Sequence, residues 1–157
     1  QYVGINLIIN QIQLTNENKL LLYNQAIDEL IEQKLQQIQI EEYNVTLTKN
    51  ERDNYQKFFL EQRNLTKDLV DKAIMTSNLD QKVFAEKIDT IIKWEKLTSG
   101  LFFRTTSVTE TEIKELINKD PSISKELAER ILRNKQIKLK ADKYLRDLKE
   151  EANIEKR

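Results

Sequence analysis

Apolar residues recur at steps of three and four along most of the chain, a pattern that predicts amphipathic helices. The clearest run falls between about residues 17 and 43, where the apolar positions form one stripe: Leu20, Tyr23, Ile27, Leu30, Ile31, Leu35 and Ile38. A second long helix is predicted over about residues 80–103, with these apolar positions: Phe84, Ile88, Ile91, Trp94, Leu97 and Leu101. The periodicity therefore predicts an all-α fold.

Helix boundaries are indicated by residues that can cap a first turn. Residues 48–51 and 109–112 both have capping-box form, with a threonine at the cap and a glutamate three residues later. Thr15 and Thr66 are further candidate N-caps. The Asp-Pro pair at residues 120–121 predicts the N-cap and first position of the last helix.

These signals together predict an irregular bundle of six to seven helices, closed by a long C-terminal helix. The expected helices cover about residues 1–13, 17–43, 48–63, 66–75, 80–103, 109–119 and 120–152, and the tail around Ile154 is a candidate short β-strand. In the last helix we expect these apolar residues to face inward: Leu127, Ile131, Leu132, Leu139, Leu145 and Leu148. We expect a single domain over residues 1–157, with a helical region at 1–118 and a C-terminal helix and tail at 119–157.

Composition narrows the class of function. The chain has 157 residues with only two glycines and one proline, which favours long helices over turn-rich folds. Its 26 basic and 26 acidic residues give a formal net charge of zero. This balance argues against a dedicated nucleic-acid binder, which normally carries an excess of basic residues.

Several kinds of catalytic and metal-binding site require residue types that this chain lacks. The chain contains no cysteine and no histidine, which excludes disulfides, Cys/His zinc sites, thiol nucleophiles and Ser-His-Asp triads. The acidic residues show no pattern typical of a catalytic pair, so we expect no enzymatic activity, cofactor or metal. No apolar run is long enough to insert into a membrane.

The order of several short segments resembles the SurA-like periplasmic chaperone family. The resemblance covers nearly all of residues 15–157 and depends on order and spacing, because each segment alone is a degenerate helix pattern. The segments are residues 25–35 (QAIDELIEQKL), 48–51 (TKNE), 64–69 (NLTKDL), 84–97 (FAEKIDTIIKWEKL), 108–113 (VTETEI) and the ending 143–155 (KYLRDLKEEANIE).

The resemblance implies an ATP-independent chaperone of the bacterial periplasm that holds unfolded outer-membrane or secreted proteins in an apolar groove. The family usually carries parvulin-type prolyl isomerase domains between the sixth and last helices. Residues 113–125 leave no room for such a domain, so isomerase activity is not implied. The family's opening β-hairpin is also absent ahead of Gln1, which leads us to expect a tail around Ile154 that is loose or paired with a second chain.

Aromatic and flexible apolar side chains are the candidate client-binding residues, because such surfaces suit weakly selective binding. Packing in an ordinary core is the alternative for each of them. Neighbouring helix positions point about 100° apart, so we expect one member of each adjacent phenylalanine pair to be exposed or to face a cleft. The candidates are Tyr55, Phe58, Phe59, Met75, Leu101, Phe102 and Phe103.

Three other interpretations remain open at this point. The chain could be an assembly module that forms a homodimer through the end left open by the missing hairpin. It could also be a prolyl isomerase-related protein that has lost the activity or keeps it without the parvulin domain. The last helix also carries a basic run that either binds phosphates or an acidic partner, or is a solvated face: Arg133, Lys135, Lys138, Lys140 and Lys143.

Overall fold

The computed structural model describes residues 1–152 and confirms the predicted all-α fold. These residues form seven α-helices: α1 (Tyr2–Asn10), α2 (Lys19–Glu42), α3 (Lys49–Glu61), α4 (Lys67–Thr76), α5 (Gln81–Phe102), α6 (Glu110–Lys119) and α7 (Lys125–Glu151). A short 3-10 turn, Phe103–Thr105, follows α5. The candidate strand around Ile154 lies outside the described residues.

Most of the predicted helix starts are confirmed. At the start of α3, the Thr48 hydroxyl accepts a hydrogen bond from the backbone N–H of Glu51, and the Glu51 carboxylate accepts one from the backbone N–H of Thr48. Residues 109–112 repeat this capping box before α6. The side chain of Thr66 caps α4 by accepting from the N–H of Leu69.

Two predicted caps are wrong, and in both cases the residues form a turn before the helix. The N-cap of α2 is Asn18 rather than Thr15, which exchanges hydrogen bonds with Asn18 across the turn. The N-cap of α7 is Ser124, because the Asp120 carboxylate instead accepts from the N–H and hydroxyl of Ser122. An Asp or Thr side chain stabilises a turn as readily as a helix start, which is why sequence favoured the wrong position.

Asparagine ends three of the first four helices. Asn44, Asn64 and Asn78 have positive φ angles of 51–54°, in the left-handed region. Each is followed by an apolar residue whose N–H reaches back to the helix, as the N–H of Leu79 does to the carbonyl of Ile74 at 3.0 Å. This is the hydrogen-bond pattern of a Schellman cap, a position that glycine usually fills. Asparagine replaces glycine in a chain that has only two glycines.

The described chain divides into two compact units, with the division inside α5. Unit 1 spans Gln1–Trp94, and unit 2 begins at Glu95. The subdivision that we expected lies near residue 118 instead. A single functional domain over the whole chain stays a prediction. Trp94, expected to pack inside the protein, is 8% exposed.

The core of unit 1 is built from large apolar side chains. It joins α1, α3, α4 and α5, and the apolar residues after the helix ends, Leu65 and Leu79, pack against it. Its buried members are Ile5, Ile9, Phe59, Leu60, Val70, Ile74, Phe84, Ile88 and Ile92. An ion pair ties α3 to α5, because Arg52 binds Asp89 through two parallel hydrogen bonds of 2.6 and 2.7 Å.

Unit 2 is organised around the pair α6 and α7. The buried residues of α7 are Ala128, Ile137 and Ala141, and Ile113 is buried on α6. The expectation that Ile131 and Leu139 face inward is wrong, since they are 42% and 60% exposed. The packed face of α7 carries two small alanines and Ile137 in place of these larger residues.

Candidate functional site

Three aromatic rings of α3 connect the core of unit 1 to its surface. The half-buried Tyr55 ring has its centroid 6.4 Å from the centroids of both Phe58 and Phe59. Phe59 is a core residue, and the Arg63 guanidinium lies 3.8 Å from its ring centroid. Phe58 is 56% exposed. We call Tyr55 and Phe58 the α3 aromatic surface, which a partner can reach.

A groove lies along a different side of α3. It has a volume of about 540 Å³ and continues to the turn before α4. Leu60 and Leu65 form its apolar floor, and charged residues of both signs, Asp53, Lys57 and Lys67, lie at its rim. Its volume is that of a pocket able to take one or two side chains of a bound peptide.

The remaining predicted site residues lie in different surroundings. Met75, on α4, is 79% exposed. In unit 2, Leu101 and Phe102 are half-buried, and the Phe102 ring meets Tyr144 edge-on with centroids 6.0 Å apart. Phe103 is 55% exposed, and the guanidinium of Arg133 lies 4.9 Å from its ring centroid.

The prediction for the two phenylalanine pairs is confirmed. Phe58 is exposed beside the buried Phe59, and Phe103 is exposed beside the half-buried Phe102. The structure brings together the three candidates of α3 and, separately, the consecutive residues 101–103 in unit 2. That all seven form one client groove stays a prediction.

Helix α2 carries a surface that sequence analysis did not single out as a site. Two apolar residues, Ala26 and Ile40, are buried on its packed face. Polar residues lie on that face as well, since Gln37 donates a hydrogen bond to Thr90. The apolar stripe instead points mostly to solvent. We call its exposed part the α2 stripe, formed by Leu20 (74% exposed), Tyr23, Ile27, Leu30 and Ile38 (45–47% exposed each).

The stripe was recognisable in the sequence, but periodicity alone could not reveal that it faces outward. An apolar stripe on a helix normally faces the core of its own protein. Here the polar residue Glu29 occupies the packed face, because the ammonium of Lys87 on α5 binds its carboxylate at 2.8 Å. The sequence separation of 58 residues places this contact beyond local patterns.

Lys87, on α5, lies at the centre of a polar cluster that is largely shielded from solvent. Lys87 is 13% exposed and donates to Asn6 at 2.7 Å, to Glu29 at 2.8 Å and to the Tyr2 hydroxyl at 3.1 Å. Burial raises the pKa of Tyr2. Because an ammonium has three donors and all three are used, the cluster is a structural link between α1, α2 and α5.

Part of the basic run on α7 also has a structural role. Arg133 donates to the carbonyl of Thr106 at 2.9 Å and pairs with Glu129 at 2.6 Å. Lys140, two turns further on, donates to the carbonyl of Thr105 at 2.5 Å. These two residues hold the chain after α5 against α7, which leaves a smaller basic surface for any acidic partner.

Residues 1–152 contain no group of three acidic side chains arranged to hold a metal ion. Over the same stretch, no helix has both the length and the apolar character that crossing a membrane requires.

Comparison with known proteins found no relative. No protein-family model matches the chain, and neither the curated sequences nor the solved structures gave a similar protein.

Proposed function

We propose that this protein is an ATP-independent holding chaperone, which binds unfolded polypeptides on the exposed apolar side chains of α3. The observation that carries this proposal is the exposure of Phe58, whose ring meets that of Tyr55 edge-on. An exposed aromatic ring that is supported by a second ring offers apolar area without a large entropic cost on binding. A client side chain that covers Phe58 removes apolar surface from water on both partners.

The groove on the other side of α3 supports the same function. Its floor is apolar, and its rim carries both basic and acidic side chains, so it has no strong preference for the charge of a peptide. Weak selectivity of this kind is what a chaperone with many clients needs. The balanced net charge of the chain is compatible with clients of either sign.

The resemblance to the SurA-like family supplies the rest of the proposal. It favours the bacterial periplasm as the location and unfolded outer-membrane or secreted proteins as the clients. No catalytic step is proposed, because holding requires only reversible burial of apolar surface. Cell fractionation of the source organism, with detection by an antibody, tests the location separately from the activity.

Light scattering of a chemically unfolded outer-membrane protein, diluted into buffer with increasing amounts of this chain, tests the function. We expect suppression of aggregation without nucleotide, and Phe58→Ser should raise the concentration needed for half-suppression at least threefold. Leu139→Ser is the matched control, because Leu139 is similarly exposed but lies on α7. Failure of the wild-type chain to suppress aggregation at several-fold excess contradicts the chaperone proposal. Equal activity of Phe58→Ser and wild type contradicts the assignment to α3.

A further inference from the structure

The charges at the ends of α2 are the reverse of those that stabilise an isolated helix. The first turn of α2 has no acidic residue and begins with Lys19, and the last turn has no basic residue and ends with Glu41 and Glu42. A helix has a partial positive charge at its N-terminus and a partial negative charge at its C-terminus. Each end of α2 therefore adds a charge of the same sign as the helix dipole.

An antiparallel neighbour of the same kind removes this conflict. The basic N-terminal end of one α2 then lies beside the acidic C-terminal end of the other, and the two helix dipoles oppose each other. The α2 stripe lies between these ends, on a helix of 24 residues that is roughly 36 Å long. Ends of opposite charge and an apolar middle make the surface complementary to itself.

We propose that α2 is the interface of a homodimer, in which the α2 helices of two copies pack antiparallel along the α2 stripe. A two-fold axis would pass beside the helix midpoint, between Leu30 and Ile31. In this register Tyr23 faces Ile38 of the partner subunit. Lys19 at each end faces Glu42 of the partner subunit.

The register also gives Lys34 a role inside the apolar stripe. Lys34 lies on the same side of α2 as Ile27 and Leu30, by the helical spacing of three and four residues. Opposite Ile27 of the partner subunit, its aliphatic stem covers apolar surface while the ammonium extends to solvent. A two-fold interface repeats this contact on both sides of the axis.

A second copy fits this surface better than an unfolded client. The stripe lies on a regular helix with fixed charges at its two ends, and an unfolded chain offers no matching arrangement. The client surface proposed on α3 lies on another helix of unit 1. Dimerisation and holding can therefore be measured separately, and the failure of either leaves the other testable.

Sedimentation velocity at several concentrations tests the dimer. We expect a monomer–dimer equilibrium for the wild type, and a shift of at least tenfold toward monomer for Ile27→Lys, which places a second ammonium beside Lys34. Leu139→Lys introduces the same charge on an exposed site of α7 and should leave the equilibrium unchanged. A wild-type chain that stays monomeric at several hundred micromolar, or an Ile27→Lys variant that dimerises as well as wild type, overturns the proposal.

Charge exchange tests the antiparallel arrangement. Lys19→Glu and Glu42→Lys each place like charges at both ends of the interface, and each should weaken the dimer about tenfold. Mixing the two variants restores opposite charges at both ends, so the mixture should form a heterodimer of near wild-type affinity. A mixture that stays as weak as its components overturns the antiparallel register.

Introduced cysteines test the position of the axis, since the chain has no cysteine of its own. Leu30→Cys lies beside the axis and should form a disulfide-linked dimer under mild oxidation. Leu20→Cys should not, because the two copies of residue 20 lie roughly 30 Å apart in an antiparallel pair. Crosslinking at both positions indicates a parallel pair and overturns the proposal, as does crosslinking at neither.

Discussion

Unit 1 packs its helices on isoleucine, phenylalanine and leucine side chains, whereas the packed face of α7 in unit 2 consists of Ala128, Ile137 and Ala141. In unit 2, polar contacts from Arg133 and Lys140 also hold the segment after α5. The two units therefore differ in what they tolerate. Unit 1 should be most sensitive to lost volume, and the packed face of α7 in unit 2 to added volume.

The largest effect should come from removing volume in unit 1. Ile74, on α4, is 2% exposed, and Ile74→Ala should lower the free energy of unfolding by about 3 kcal/mol because it leaves a cavity. Met75→Ala is the matched control on the same helix, and its 79% exposure predicts a change within about 0.5 kcal/mol. Urea denaturation followed by circular dichroism measures both. Similar losses for the two variants would contradict the assigned core.

Adding volume to unit 2 should have the next largest effect. Ala128 is fully buried, and Ala128→Leu should lower the free energy of unfolding by about 2 kcal/mol because the neighbouring helix must move. Ala85→Leu on α5 places the same side chain at an exposed position and should be nearly neutral. Thermal denaturation of the two variants side by side is sufficient. A neutral Ala128→Leu would mean that unit 2 packs less tightly than its alanines indicate.

The two glycines offer a smaller test, in which the same substitution should change the free energy of unfolding in opposite directions. A Cβ atom at Gly4 in unit 1 would lie 2.8 Å from Cδ2 of Leu79, whereas a Cβ at Gly100 in unit 2 meets no atom within 4 Å. Gly100→Ala should raise the free energy of unfolding by about 0.5–1 kcal/mol, since alanine favours the helix. Gly4→Ala should lower it by about 1 kcal/mol despite the same helix preference. Denaturant midpoints that move in the same direction would contradict the close packing at Gly4.

The smallest expected effect is a difference in the response of the two units to pH. In unit 2, the Lys125 ammonium lowers the pKa of Glu110 below its ordinary value of 4.5. Hydrogen bonds from the backbone N–H and the hydroxyl of Thr109 lower the pKa of Glu112. A carboxyl group with a lowered pKa stabilises the fold above its ordinary value, and this contribution is lost as pH falls through the lowered pKa.

In unit 1, hydrogen bonds and charge pairing with Asp89 and Asp71 raise the pKa of Arg52 and of Lys67. The contribution described by these raised pKa values is lost as pH rises through them. Backbone amide spectra recorded from pH 7 to pH 3 should therefore report the loss of the carboxylate contributions in α6 and at the start of α7. Glu112→Gln should reduce that change, and spectra of α6 that stay unchanged down to pH 3 would contradict the prediction.

The sequence predicted those features of the fold that depend on residues a few positions apart. The capping boxes at Thr48 and Thr109 were recognisable because both partners lie within one turn. Asp120 was wrongly predicted as the N-cap of α7, because an aspartate can cap a helix or, as here with Ser122, stabilise a turn. The left-handed role of Asn64 was not predicted, because glycine is the usual residue at such a helix end.

The candidate site was harder to predict from the sequence, because the exposure of a side chain depends on contacts with residues far away in the chain. The two adjacent phenylalanine pairs correctly indicated that one member of each pair is exposed, because neighbouring positions on a helix point in different directions. Sequence could not show that Glu29, rather than Leu30, faces the rest of unit 1. That choice is made by Lys87, which lies on another helix and satisfies the carboxylate there.

The asparagine caps have a consequence for how this chain folds. Each asparagine is followed by an apolar residue whose N–H bonds back to the preceding helix. Helices α2, α3 and α4 therefore end through contacts within six residues. Local contacts form in microseconds and need no long loop to close. The boundaries of these helices can thus be set during synthesis, before the core exists. Slow steps should be confined to docking of preformed helices, and Asn64→Ala should slow that stage by leaving α3 without a defined end.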